Sequence, residues 1–371
     1  MAMGGVLKLT KVQELVQHKG RLVEVPYTAT VGDTLNSLLA KNILAVPVAA
    51  PPGQWVGAGG SMIMEADKST GRMRKQYIGM VSVLDILIHV VEEEGGEEDF
   101  AGRLSSTVAS VIGHSLEGLS LWTVSPNASV YEVMEPMSKG IHRALVPVES
   151  LMHQPHHAPV EIMESSTGYH MLTQTDMVRF LLVHAKELEF VTGLSVSTLG
   201  LMQTSVFAAP SNMKVMDVVK CMRNVSLAAV AIVENSPDII PDDPMLVIGR
   251  GRKLLGKFSA SDLRGCTAEV LQAWSSLSIM DFFGKASVAQ QFGVGAATAA
   301  YHKEGSFDSR EMVSPPVTCY LTSSLQEVMS TALQNHVHQV WVVDNQGLLL
   351  GVVTFSDIMK VVRNFPSKQL F

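Results

Sequence analysis

Four times along this chain a strand-like apolar run ends in serine or threonine, and an aspartate follows three residues later. The pairs are Ser82 and Asp85, Thr173 and Asp176, Ser259 and Asp262, and Thr354 and Asp357. In each pair the hydroxyl can accept the aspartate's N–H while the carboxylate accepts the N–H of the hydroxyl residue, which starts a helix. The same geometry offers a second chemistry. A carboxylate at a helix N-terminus can take both hydroxyls of a ribose, and the N–H groups and dipole there favour a nearby anion. One such pair says only that a helix begins. Four pairs, each after an apolar strand, also mark a repeat.

The aspartates lie 91, 86 and 95 positions apart, and this near-regular period defines the architecture. The last repeat is the plainest. Val317–Tyr320 reads as a short strand, and Ser324 with Glu327 caps a helix with Val328, Met329, Ala332 and Leu333 on one face, fading at Asn335 and His336. Val340–Val343 reads as a buried strand, Asp344–Gly347 as a turn and Leu348–Val353 as the returning strand. Thr354 and Asp357 then open a second helix through Ile358 and Val362. The order β-α-β-β-α recurs, with first-helix starts at Thr30–Asp33, Ser129–Glu132 and Lys214–Asp217, the last lacking a capping hydroxyl. From first-helix acid to second-helix aspartate the intervals are 52, 44, 45 and 30 residues, so repeats one to three carry insertions in the hairpin connection. These insertions (Ala50–Gln76, Met152–His157 and Asn235–Pro244) are turn-rich and expected on the surface.

The fold class is therefore α+β. One β-α-β-β-α unit leaves a sheet face uncovered, so two units pack face to face, and four make two paired modules. The expected divisions are an N-terminal segment 1–20, repeat one 21–91, an acidic linker 92–115, repeat two 116–190, a linker 191–204, repeat three 205–275, a linker 276–314 and repeat four 315–371.

Composition excludes several function classes. A 47% hydrophobic and 17% charged chain of 371 residues is globular, and a net charge of -7 argues against broad nucleic-acid binding. Three scattered cysteines argue against a disulfide framework. No apolar run reaches the roughly 18 residues of a membrane helix, and the N-terminus lacks the charged head and apolar core of a signal peptide. The expectation is a soluble protein of the cytoplasm, with the nucleus open as a second location. His153, His156 and His157 sit in a turn-rich loop without nearby cysteine and read as solvated rather than metal-binding, and no nucleophile–base or paired-carboxylate constellation suggests an enzyme. The glycine-rich stretch Gly53–Gly60 lacks the ending of a phosphate-binding P-loop.

The repeat resembles the cystathionine-β-synthase (CBS) domain, whose tandem pairs bind adenosyl nucleotides. The likeness runs from about Val23 to Val362, with no catalytic domain attached. Four CBS repeats alone resemble the gamma regulatory subunit of AMP-activated protein kinase and its fungal and plant counterparts. Val23–Ala29, Ala45–Glu65 and Tyr77–Leu87 resemble the plant form. The resemblance implies a non-catalytic subunit of a heterotrimeric energy-sensing Ser/Thr kinase, partnered by a catalytic alpha and a beta subunit, in a disc-like pseudo-symmetric body. It implies no required cofactor or metal, no nucleic-acid or membrane partner, and AMP, ADP or ATP as regulatory ligands between repeats. Ser82, Asp85, Thr173, Asp176, Ser259, Asp262, Thr354 and Asp357 would then face riboses, and His142, Arg143 and His338 phosphates.

The chain also departs from that family. It has Leu44 and Gln339 where arginines are typical of nucleotide-sensing members, and Thr175 where a phosphate-binding lysine is usual. Each lost charged hydrogen bond is worth roughly 1.5–3 kcal/mol, so four equal nucleotide sites do not follow from four aspartates. Two readings stand side by side: a nucleotide-sensing subunit, and a scaffold that assembles kinase subunits without sensing nucleotide.

Overall fold

The computed structural model describes residues 5–50, 77–92, 100–115, 118, 121–148, 168–235, 245–259, 262, 277–282 and 316–368. Most of the three insertions, with Gly53–Gly60 and the histidines at 153, 156 and 157, lies outside these residues, as do the acidic run 93–99, Cys266 and the helix expected after Asp262.

The repeat order holds. First helices run Val31–Lys41, Val130–Ser138, Val215–Asn224 and Leu325–Gln334. Three begin with reciprocal caps, Thr30 with Asp33, Ser129 with Glu132 and Ser324 with Glu327, whereas Lys214 makes no side-chain cap. Each helix then stops in the same way. Asn42, Gly140, Ser226 and His336 have φ of 51°, 99°, 55° and 53°. The next N–H turns back to a carbonyl of the last turn, Ile43 to Leu38, Ile141 to Pro136, Leu227 to Met222 and Val337 to Ala332. Three of these four are non-glycine residues in left-handed backbone, at a local cost of roughly 1–2 kcal/mol each. The packing on both sides of the turn offsets that cost.

The hairpins follow as Ala45–Ala49 with Tyr77–Ser82, Arg143–Pro147 with Tyr169–Thr173, Ala229–Val233 with Leu254–Ser259, and Gln339–Val343 with Leu349–Thr354. Short lead strands pair in parallel with the first hairpin strand in repeats one, three and four. In repeat two the lead strand shrinks to a bridge between Thr123 and Leu145. Repeat three gains an edge strand at Val247–Ile248, antiparallel to Phe207–Pro210. Two residues carry no periodicity, so this strand was invisible in the sequence.

Sheet meets sheet within each expected pair. Ala49 and Tyr77 of repeat one pack on Leu145 and Tyr169 of repeat two, with the Tyr77 and Tyr169 rings 5.8 Å apart and edge to face. Burial and the 2.6 Å hydrogen bond to Glu24 push the Tyr77 hydroxyl's pKa well above the ordinary tyrosine value, so it stays a neutral donor. Val206, Ala208 and Val233 of repeat three pack on Trp341, Leu349 and Val352 of repeat four.

The two largest cores join the pairs in a way the sequence did not suggest. Leu84, Leu87 and Ile88 of repeat one share one core with Val215, Val219 and Met222 of repeat three. Met134, Met177 and Leu181 of repeat two share another with Met329, Ile358 and Met359 of repeat four. Helices carry these contacts, and Arg363 closes the second with a 2.6 Å ion pair to Glu135. The order around the body is thus one, two, four, three, with sheet and helix interfaces alternating.

The N-terminal segment and the three segments that follow repeats one, two and three each bridge to a first-helix start. Short helices at Gly5–Leu9 and Val12–Val16 lead through Lys11, which bridges to Ser129 at the first-helix start of repeat two. Thr107 bridges in the same antiparallel sense to Thr30 of repeat one, Ser195 to Ser324 of repeat four, and Ser278 to Lys214 of repeat three. Backbone N–H groups on both sides are satisfied there, as in Val31 to Ser106 and Val108 to Ala29. Each of these segments therefore holds one repeat's helix start in place.

Cys319, on the lead strand of repeat four, is buried, and burial alone raises its thiol to about 12. Thiolate is the reactive form, so Cys319 in the native protein should resist iodoacetamide at pH 8 and react fully in urea. Peptide mapping by mass spectrometry reads this directly, and rapid native alkylation would contradict the burial.

Candidate functional site

All four hydroxyl–carboxylate pairs stand at the end of the returning hairpin strand, as the sequence requires. In repeat one, Ser82 donates to Asp85 Oδ2 from its N–H at 2.8 Å and from Oγ at 2.5 Å. Thr173 does the same to Asp176 at 2.8 and 2.7 Å, Ser259 to Asp262 at 2.7 and 2.7 Å, and Thr354 to Asp357 at 3.0 and 2.6 Å. One carboxylate oxygen is therefore used in capping, in every repeat.

Further donors on these carboxylates come from residues the sequence reading did not single out. The Ser115 N–H donates to Asp85 Oδ1 at 2.7 Å, and Asp85 is only 1% exposed. Lys19 donates to Asp176 Oδ2 at 2.5 Å and to the Met171 carbonyl at 2.7 Å, with Arg179 3.7 Å from Oδ1. Lys257 reaches Asp262 Oδ1 at 2.6 Å. Gln203 Nε2 spans both oxygens of Asp357, at 3.0 and 3.1 Å. Only Lys257 was legible in advance: it lies two residues before Ser259, and alternate strand residues share a face. Lys19, Ser115 and Gln203 reach their carboxylates across the fold, which no local pattern records.

The hairpin register fixes which residues are equivalent. Arg143 pairs with Thr173 and Gln339 with Thr354, and the corresponding partners are Ala45 with Ser82 and Ala229 with Ser259. One residue earlier, the carbonyls of Leu44, His142 and His338 each accept the first N–H of the following second helix, from Val83, Gln174 and Phe355. Leu44 is thus the counterpart of His142 and His338 within this chain, and Ala45 that of Arg143 and Gln339.

The phosphate-side candidates gather in repeats two and four. Gln174, 5% exposed, donates from Nε2 to the Met137 carbonyl and to Ser356 Oγ, both at 2.9 Å. This bond sets the second-helix starts of the two repeats against each other. His142 and Arg143 flank one side, and His338, whose ring stacks edge-on 5.5 Å from Phe355, flanks the other. Among the described residues no group of three or more His, Cys, Asp or Glu could hold a metal ion, and no helix is long and apolar enough to cross a membrane.

A CBS-domain family model matches residues 309–364. Over 355 residues, 95% of this chain and 94% of the relative, the chain is 46% identical to the SNF1-related protein kinase regulatory subunit gamma-like PV42a of Arabidopsis thaliana. The chain belongs to the gamma-like regulatory subunits of SNF1-related protein kinases. This gamma-like subunit is also 43% identical over 354 residues to PV42b of the same plant, covering 95% of this chain and 94% of that one. The resemblance to plant gamma-type regulatory subunits is borne out. Among solved structures, MJ1225 of Methanocaldococcus jannaschii, described as a proposed archaeal homologue of g-AMPK, matches with a TM-score of 0.58 over 95% of this chain and 99% of that one. At 17% identity that likeness shows the fold alone. In the gamma-like subunit each of these four carboxylates already holds the donors described above.

Proposed function

We propose that this chain is the non-catalytic gamma-type subunit of a heterotrimeric energy-sensing Ser/Thr kinase, assembled with a catalytic alpha and a beta subunit, and that it takes AMP, ADP or ATP at the junction of repeats two and four. The observation that supports this placement is the 2.9 Å Gln174–Ser356 contact, which brings two helix N-termini together beside His142, Arg143 and His338. Helix N-termini favour anions, and the planar fork of Arg143 suits phosphate oxygens. The ribose would lie on Asp176 or Asp357. The nucleotide controls the kinase only through different affinity for two arrangements of the repeats.

A scaffold that assembles kinase subunits without sensing nucleotide is the second reading. It is favoured by the internal donors that every one of the four carboxylates already holds. Calorimetry of the purified chain with millimolar AMP, ADP and ATP separates the two. Saturable heat is expected for at least one nucleotide, and its absence for all three removes the sensing reading. Co-expression with catalytic and beta subunits is expected to give a complex that survives gel filtration. Failure to recover either partner removes the kinase assignment.

A further inference from the structure

The bridging segments described above show a second feature. Eight residues after three of the four bridges to a first-helix start, the same segment delivers a donor to the second-helix aspartate of the repeat it clamps. Lys11 bridges to Ser129, and Lys19 reaches Asp176. Thr107 bridges to Thr30, and the Ser115 N–H reaches Asp85. Ser195 bridges to Ser324, and Gln203 reaches Asp357. The eighth residue after Ser278 lies outside the described residues, and Asp262 takes Lys257 from its own strand instead.

We infer that these three segments are built-in occupants of the hydroxyl–carboxylate elements at Asp85, Asp176 and Asp357, which close those clefts from within, and that Gln203 at Asp357 is the gate that opens most readily. The three closures differ in kind. At Asp85 the donor is a backbone N–H, and the strap is packed hard onto the strand. A Cβ on Gly79 would stand 2.4 Å from Ile112, and one on Gly118 2.8 Å from the Met80 carbonyl. That cleft opens only if the strap moves. At Asp176 the donor is a lysine whose ammonium is anchored twice, on the carboxylate and on the Met171 carbonyl. At Asp357 it is one neutral amide spanning two carboxylate oxygens. The strap backbone there is fixed separately, by mutual N–H to carbonyl bonds between Gln203 and Val352, so the side chain can rotate off without moving the strap. A ribose diol presents two O–H donors, which can replace the bridging amide on the same two oxygens.

This inference rests on the nucleotide reading above, and its test keeps the two apart. Binding of AMP, ADP and ATP is measured by calorimetry on the full chain, on Gln203→Ala and on Gln203→Ala with Asp357→Ala. Removing a competitor for a charged acceptor should tighten the dissociation constant roughly tenfold in Gln203→Ala. The gain should disappear in the double variant. Lys19→Ala is the parallel variant at Asp176, where a smaller gain is expected because Arg179 stays close by. Equal affinity in wild type and Gln203→Ala overturns the gate and leaves the nucleotide reading intact. No binding in any variant overturns both.

Discussion

Asp85→Ala should be among the most destabilising single changes at any of the four hydroxyl–carboxylate elements, at about 3 kcal/mol on the scale of a lost cap plus charge-assisted hydrogen bonds. The carboxylate is 1% exposed and accepts from the Ser82 N–H, the Ser82 hydroxyl and the Ser115 N–H. Alanine leaves all of these donors without an acceptor in a site closed to water. Asp85→Asn should be milder, since its carbonyl oxygen can still satisfy one side. Asp357→Ala serves as the comparison, because Gln203 and Thr354 there sit at a more open surface and water can replace the carboxylate. Urea midpoints at constant slope give the ranking. Should Asp85→Ala prove no costlier than Asp357→Ala, the description of the first cleft as sealed fails.

Gly351→Val is the second large effect. A Cβ there would stand 2.3 Å from Met202 Cγ, 2.5 Å from the Gln203 carbonyl oxygen and 2.6 Å from Met202 Sδ. The methionine can swing away, but the carbonyl belongs to the strap backbone that pairs with Val352. The strap therefore has to lift. Overpacking of this kind costs about 1–3 kcal/mol, and the loss of the two strap hydrogen bonds adds to it. Limited proteolysis should newly cut the chain near residues 200–206, and the thermal midpoint should fall. Gly20→Ala, whose added Cβ meets nothing within 4 Å, should change neither. An uncut strap in Gly351→Val would show that the contact yields without opening.

The sequence disclosed the repeat because its signals are local. A capping box needs only residues three apart, and an apolar strand needs only its own composition, so Thr30, Ser129, Ser324 and the four second-helix aspartates were readable one element at a time. Sheet-on-sheet pairing also followed, from the need to cover an apolar face. What stayed hidden is non-local. Nothing near Lys19 announces an aspartate 157 residues away, and nothing near Gln203 announces one at 154. The sharing of cores between repeats one and three, and between two and four, is hidden for the same reason: each helix shows that it has an apolar face but not which helix covers it.

The alternation of interfaces around the four repeats has a consequence for how the chain is made. The helices of repeat one find their covering partner only in repeat three, and Val215 is more than a hundred residues beyond Leu87. At ribosomal rates of about 5–20 residues per second, that interval lasts on the order of ten seconds. Throughout it repeat one presents a broad apolar helical surface to other nascent chains. Native closure must also wait for contacts of high sequence separation, which slow folding. A body joined in this order is a late-maturing one, and its newborn form is a natural client for chaperones that bind apolar surface.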